Sequence, residues 1–507
     1  MNQRIASRST FIKTLPQAVL LMGAMIFAVL LHMYLGASVG AVGFIWIVLL
    51  TITTSVVNAE LSFTLMMVCF FLQNALVSIV SPAISSVDGF KLLLGTSFLN
   101  LVLTAVLVAP VWLKTHRKHP EASSNLIRWI FIFMATIVLY SLLGVFRSPL
   151  TDVLVYVRVY LSGVLLLALG VAFGTYLSEG FVVSIVKILA VVLLAWGIGE
   201  FFFSFDFYDL FNVAPYLHLK FASNGEQEAI SNVADVINFS DRSYLNLTGS
   251  FGLNFNLIRP NGPELHPITY AYCSAFCSLI CFIYRSYFLA FAMFVIVLLT
   301  GAKAALVMII ASYLLYFIYR RTRRLSFLKL MLGVVVVSYI IAGLAYGIHT
   351  NDYHVIGFFG GIQGFLNNPI GHGIGVGGNL SAEHQLVNAN EHQLFQGFGA
   401  DYGFESAIGV MLYQMGIGVV VFVLFTYKVW RNVWHAASHL PDQPRAMIAP
   451  LALAIIFVNG IFQEEAFSPA GWGLWFMFSG FLLVKYWRSI PLTERIPNSR
   501  KPHYATP

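Results

Sequence analysis

Long apolar runs separated by short polar breaks dominate the chain. A helix needs about 20 apolar residues to cross a hydrocarbon core. Fourteen windows approach or meet that length, at 15–36, 38–57, 61–81, 92–113, 129–146, 153–175, 181–203, 267–284, 287–300, 304–319, 328–347, 405–427, 447–463 and 471–486. The pattern predicts an all-α polytopic membrane protein with about 14 transmembrane helices in a single integral membrane domain. Arg4, Arg8 and Lys13 precede the first run, and a second run follows almost at once. That arrangement predicts an uncleaved signal anchor.

Two polar stretches stand out between the windows, 204–266 and 348–404. The first has Phe-rich ends and a polar middle from Asn224 to Asp241. The second is Gly-rich, with FFGGIQGF and NPIGHGIGVGGN. Such glycines permit tight backbone turns over a site. Neither stretch is of low complexity, so both are expected to be ordered. No repeat of 20–50 residues and no inverted repeat of the transporter kind is visible.

Composition sharpens this picture. A soluble chain of 507 residues would be read as about three domains. Here 58% of residues are hydrophobic and 10% charged, against roughly 45–50% and roughly 25% in soluble proteins. The mean hydropathy is +0.80. A secreted enzyme, a coiled coil and a disordered chain are excluded. The four cysteines form no disulfide framework: Cys69 lies in one apolar run, and Cys273, Cys277 and Cys281 share one helix face in another. Close helix packing is the expectation for that face.

Charge sets an orientation. With the N-terminus in the cytoplasm and fourteen alternating crossings, 21 of the 29 basic residues fall inside. Outside fall Lys91, Arg147, Arg158, Lys220, Arg242, Arg259 and Lys303, while Lys187 lies within a run. The basic balance is therefore a topology signal. No aromatic-basic surface points to nucleic acid.

Three of those outer cations, Arg158, Arg259 and Lys303, fall at one depth. Arg259 stands in Ile258-Arg259-Pro260-Asn261-Gly262, and Lys303 ends the tight connector Thr300-Gly301-Ala302-Lys303. Together they suggest an anion site suited to phosphate or pyrophosphate. The second polar stretch carries no Lys or Arg. It holds His349, His354, His372, His384 and His392 with Asp352, Glu383, Glu391, Asp401 and Glu405 at its end. Those are acceptors for sugar hydroxyls and candidate general bases. A metal held by Glu383-His384 and Glu391-His392 is the rival reading, but neither pair has HExxH spacing.

The ordered motifs resemble the bacterial O-antigen and exopolysaccharide polymerase and O-antigen ligase family. Arg259-Pro260-Asn261-Gly262 with His266-Pro267 resembles its RxxG…P segment. Thr300-Gly301-Ala302-Lys303 resembles its TGSR segment, with lysine in place of arginine. Asn368-Pro369-Ile370-Gly371-His372-Gly373-Ile374-Gly375 resembles its NPxxGxGxG loop, and Glu405-Ser406, Leu412 and Gly416-Ile417-Gly418 its ES…L…GxxG helix. His392-Gln393 followed by Gly403 resembles the ligases' histidine motif, with Ser406 at its unusual last position. The likeness covers about 255–425. The second stretch lacks the arginine that ligases generally carry there.

The resemblance implies a metal-independent, cofactor-free glycosyltransferase in the bacterial inner membrane. It would act on undecaprenyl-pyrophosphate-linked glycans at the periplasmic face, with flippase and chain-length regulator proteins as partners in the bilayer. Polymerisation of O-antigen, capsule or exopolysaccharide repeat units is the first expectation. Ligation to lipid A–core is the second, and a transporter or lipid-linked glycan flippase is the alternative of another class. Arg259, Lys303 and Arg158 would bind the pyrophosphate. His392 is expected to be the base, with Glu405, an anion at a helix N-terminus, orienting the acceptor or stabilising positive charge on the sugar. His372 and Asp401 are further substrate-binding candidates.

Overall fold

The computed structural model describes residues 2–40, 43–118, 120–223, 230–243, 256–350, 352–380 and 405–489. The first half contains α1 (Asn2–Val39), α2 (Gly43–Val57), α3 (Ala59–Val80), α4 (Val87–Leu94), α5 (Thr96–Lys118), α6 (Pro120–Val145), α7 (Leu150–Tyr176) and α8 (Glu179–Leu210). Then come α9 (Val213–Ser223), α10 (Val233–Ser240) and two three-residue strands, β1 (Asp241–Ser243) and β2 (Asn256–Ile258), paired antiparallel. The second half contains α11 (Pro267–Ile283), α12 (Tyr287–Thr300), α13 (Lys303–Thr322), α14 (Leu325–Thr350), α15 (Tyr353–Asn367), α16 (Ala407–Met415), α17 (Val419–His439), α18 (Gln443–Ala446), α19 (Ile448–Asn459) and α20 (Leu474–Ser489).

A helix underlies every one of the fourteen windows. Among the described residues, nine helical stretches are long and apolar enough to cross a membrane, the α16–α17 unit counted as one. Four shorter apolar helical stretches accompany them: Gly43–Val57, Pro267–Ile283, Tyr287–Thr300 and Gln443–Asn459. An all-α membrane protein is what these lengths and compositions describe.

Polar bonds between helices occur inside the bundle, as between Ser278 and Tyr313, and at its two ends. At the end holding the basic connectors, Lys485 Nζ lies 2.7 Å from Glu179 Oε1, Arg285 pairs with Asp442 at 3.4 Å, and His435 meets the Tyr486 hydroxyl at 3.0 Å. At the opposite end Ser148 donates to Gly375 O at 2.9 Å, and Thr269 donates to Glu465 at 3.3 Å. Each of these end bonds joins residues that the alternating path places on one side.

Parts of the two polar stretches are helical among the described residues. In the first, α8 bends at the non-helical Phe203 and runs on to Leu210, followed by α9 and α10. In the second, α14 extends to Thr350 and α15 follows. Glycines 357, 361 and 364 of α15 let it pack closely on α16, where a Cβ on Gly361 would meet Gly409 O at 2.2 Å. Cys273, Cys277 and Cys281 are buried on α11, in keeping with close packing of that face.

Candidate active site

The segment 259–266 is a tight turn wedged between helices. Arg259 N–H extends the strand pairing by donating to Ser240 O at 3.1 Å. Asn261 Nδ2 donates to the Tyr208 hydroxyl at 3.2 Å and to Ser240 Oγ at 3.0 Å. Gly262 N–H donates to Glu200 Oε2 at 2.8 Å, and Pro263 O accepts from Ala75 N–H of α3 at 2.8 Å. Gly262 has φ +68°, and a Cβ there would lie 2.2 Å from the Tyr270 ring. Only glycine fits that backbone and that space.

The turn carries Arg259 to the α12–α13 connector, where its Nε donates to Thr300 O at 2.6 Å. Gly301 closes α12 in the left-handed conformation, and α13 restarts at Lys303. The N-cap of α13 is Ala302, which makes no side-chain cap bond. First-turn N–H groups and the positive end of the helix dipole therefore stand beside two cations. This combination is a ready anion site.

Arg259 and Lys303 line one cavity of about 220 Å³. Tyr339, Gly343 and Tyr346 of α14 form one wall, and Gln463 another. Lys303 Nζ sits 5.0 Å from the centre of the Tyr346 ring. Asp352 and His354 line the same cavity. Asp352 caps α15 by accepting His354 N–H at 2.9 Å. His354 Nδ1 in turn lies 3.3 Å from Glu405 Oε2.

Electrostatics give this pair an unusual poise. Burial lowers the proton affinity of His354. Burial, with Asp352 and Glu465 nearby, pushes the Glu405 carboxyl up to about 7. This corrects the expectation of a dependable anion at a helix N-terminus. Ser406 is the N-cap of α16, accepting Gly409 N–H at 3.0 Å, so Glu405 stands outside the first turn. Desolvation then outweighs the dipole.

Arg158 stands apart from the cavity lining that holds Arg259 and Lys303; its electrostatic partner is Glu465. His372 also stands apart from that lining. Its ring stacks on Tyr413 with centroids 4.0 Å apart, and its Nδ1 donates to Tyr413 O at 3.0 Å. The His372 loop instead straps the bundle together: Gly373 N–H donates to Gln414 O, and Ile374 N–H to Tyr140 O, each at 2.9 Å. His392, His384, Glu383, Glu391 and Asp401 lie outside the described residues.

Sequence reasoning passed over Gln463-Glu464-Glu465, between α19 and α20, as a short connector. Gln463 lines the cavity and accepts from the Tyr272 hydroxyl at 3.0 Å. Glu465 accepts from Thr269, which is also 2.9 Å from His266 Nδ1. Burial and Glu465 push Glu464 up to about 8, with the Tyr156 hydroxyl opposing the shift. Burial and Glu465 raise Glu264 to about 8 as well. Two adjacent carboxylates in an otherwise apolar region were the available signal. Comparison with protein-family models and with curated proteins finds no match to the chain.

Proposed function

We propose that the chain is a polysaccharide polymerase that joins undecaprenyl-pyrophosphate-linked repeat units at the periplasmic face of a bacterial inner membrane. The carrying observation is one cavity lined by Arg259, Lys303 and the α13 N-terminus together with His354, which lies 3.3 Å from Glu405. Arg259, Lys303 and the α13 N-terminus hold the pyrophosphate of the donor. An acceptor sugar hydroxyl attacks the anomeric carbon, the new C–O bond forms, and the bond to pyrophosphate breaks. The leaving group departs as the polyprenyl pyrophosphate, its charge balanced by the cations. Ionised Glu405, oriented by His354, takes the hydroxyl proton, a contribution of typically about 10²–10⁴-fold. This gives Glu405 the role that the motif resemblance assigned to His392. The cations stand in for a divalent metal.

The path through the membrane belongs to the same proposal: fourteen crossings, with both termini cytoplasmic. The interhelical bonds at the two ends support that alternation.

The test is purified protein supplied with a lipid-linked repeat unit. A ladder of polymer supports the proposal. Transfer to lipid A–core would make it a ligase, and neither product would favour transport. Charged hydrogen bonds contribute roughly 1.5–3 kcal/mol each. Arg259→Ala is therefore expected to lose about tenfold activity or more while the protein stays folded. Arg259→Lys should rescue poorly, because a point charge replaces a fork. Full ladder formation by Arg259→Ala would remove the site's central residue.

A further inference from the structure

We infer that the basic end of the bundle carries a binding site for an anionic phospholipid. A cleft of about 180 Å³ opens there between α7, α8, the end of α11 and α20. Leu177, Val182, Phe481 and Leu482 give it an apolar wall. Lys485 and Arg488, three residues apart near the C-terminal end of α20, stand over that wall. A spacing of three puts both cations on one helix face.

The rim has a positive balance. Lys485 is matched by Glu179 at 2.7 Å. Arg488 donates to Thr175 O, a bond that uses one of the five guanidinium donors. The same rim receives the N-terminus of α8, a 32-residue helix that begins at Glu179. Ser178 caps it through a single bond from Phe181 N–H. A helix N-terminus and a guanidinium that no carboxylate matches among the described residues both favour an anion.

The chemistry beneath the rim decides which anion. A free phosphate or nucleotide gains nothing from a wall of leucine, valine and phenylalanine. A phospholipid acyl chain gains from each methylene that it lays there. Both α7 and α8 are long and apolar enough to cross a membrane, so the cleft lies where one leaflet ends. Basic pockets between membrane helices at that level bind anionic headgroups. A zwitterionic headgroup would bring its own cation toward Arg488. The site is remote in chemistry from the Arg259 cavity and stands whether or not the polymerase proposal does.

The full chain in detergent, titrated with phosphatidylglycerol, phosphatidylcholine or inorganic phosphate, tests this by native mass spectrometry and thermal melting. Wild-type protein should retain phosphatidylglycerol at least about fivefold more tightly than phosphatidylcholine, the effect of one basic residue at a membrane surface. Arg488→Gln should erase that preference while melting normally in phosphatidylcholine. Val182→Phe narrows the cleft without touching either cation and should weaken phosphatidylglycerol retention too. Equal retention of the two lipids by wild-type protein would overturn the inference. So would a preference intact in both variants, or stabilisation by inorganic phosphate equal to that by phosphatidylglycerol.

Discussion

At the scale of the residue, the proposed chemistry turns on a carboxyl group whose proton affinity burial raises. Glu405, raised to about 7, must ionise before it can accept a hydroxyl proton. Transfer activity should therefore climb as pH rises through about 7 and level off above it. Glu405→Gln should abolish that rise and most of the activity, and a pH profile unchanged in Glu405→Gln would place the base elsewhere. The same physics makes folding stability depend on pH. Glu264 and Glu464, both raised to about 8, have unfolded values near 4.3. Between those limits the folded chain holds protons that the unfolded chain has released, so stability falls as pH rises. The stabilising contribution is complete below about pH 4.3 and lost above about pH 8. Melting in detergent should be lower at about pH 8.5 than at about pH 5. Glu464→Gln should narrow the difference, whereas identical melting at both values would contradict the assignment.

At the scale of the element, glycine decides where backbones may touch. Gly373 has φ +101°, and a Cβ on it would lie 2.5 Å from Gly144 N at the end of α6. Gly373→Ala must bear left-handed strain and push two backbones apart, a cost of about 1–3 kcal/mol. Gly333 of α14 has open space around its Cβ position. There alanine should be neutral or stabilise the helix by up to about 1 kcal/mol. Melting temperatures of the two variants should move apart, and equal values would show that the Gly373 strap carries no stability. The interruption at Gly416, where φ is +49°, ends α16 and lets Gly371 and Gly416 approach. Motif resemblance marked these glycines, but only the packed helices show which neighbour each one accommodates.

At the scale of the whole molecule, the alternating path can be read by chemistry from outside the cell. Cys69, Cys273, Cys277 and Cys281 are all buried, so background labelling should be low. Asn379→Cys should react with a membrane-impermeant thiol reagent in intact cells, and Arg321→Cys only after permeabilisation. The reverse result would invert the topology. The helices themselves were legible because an apolar run of membrane length has few other uses. Lys485 and Glu179, far apart in sequence, pair at one end of the bundle. Arg259 and Lys303 were legible as a pair because each falls at one predicted depth beside an apolar run, and they line one cavity. Arg158 met the same criterion and yet turns to Glu465, because depth fixes one coordinate and packing fixes the other two. The poise of Glu405 was beyond the sequence for a related reason. Its local position suggested a helix-stabilised anion, but burial is a property of neighbours brought in by α15 and the Glu464–Glu465 segment. Hydropathy and charge, being sums along the chain, determined class, element positions and the level of the site. The assembled bundle decided which side chains at that level face one another, because lateral neighbours come from helices hundreds of residues apart.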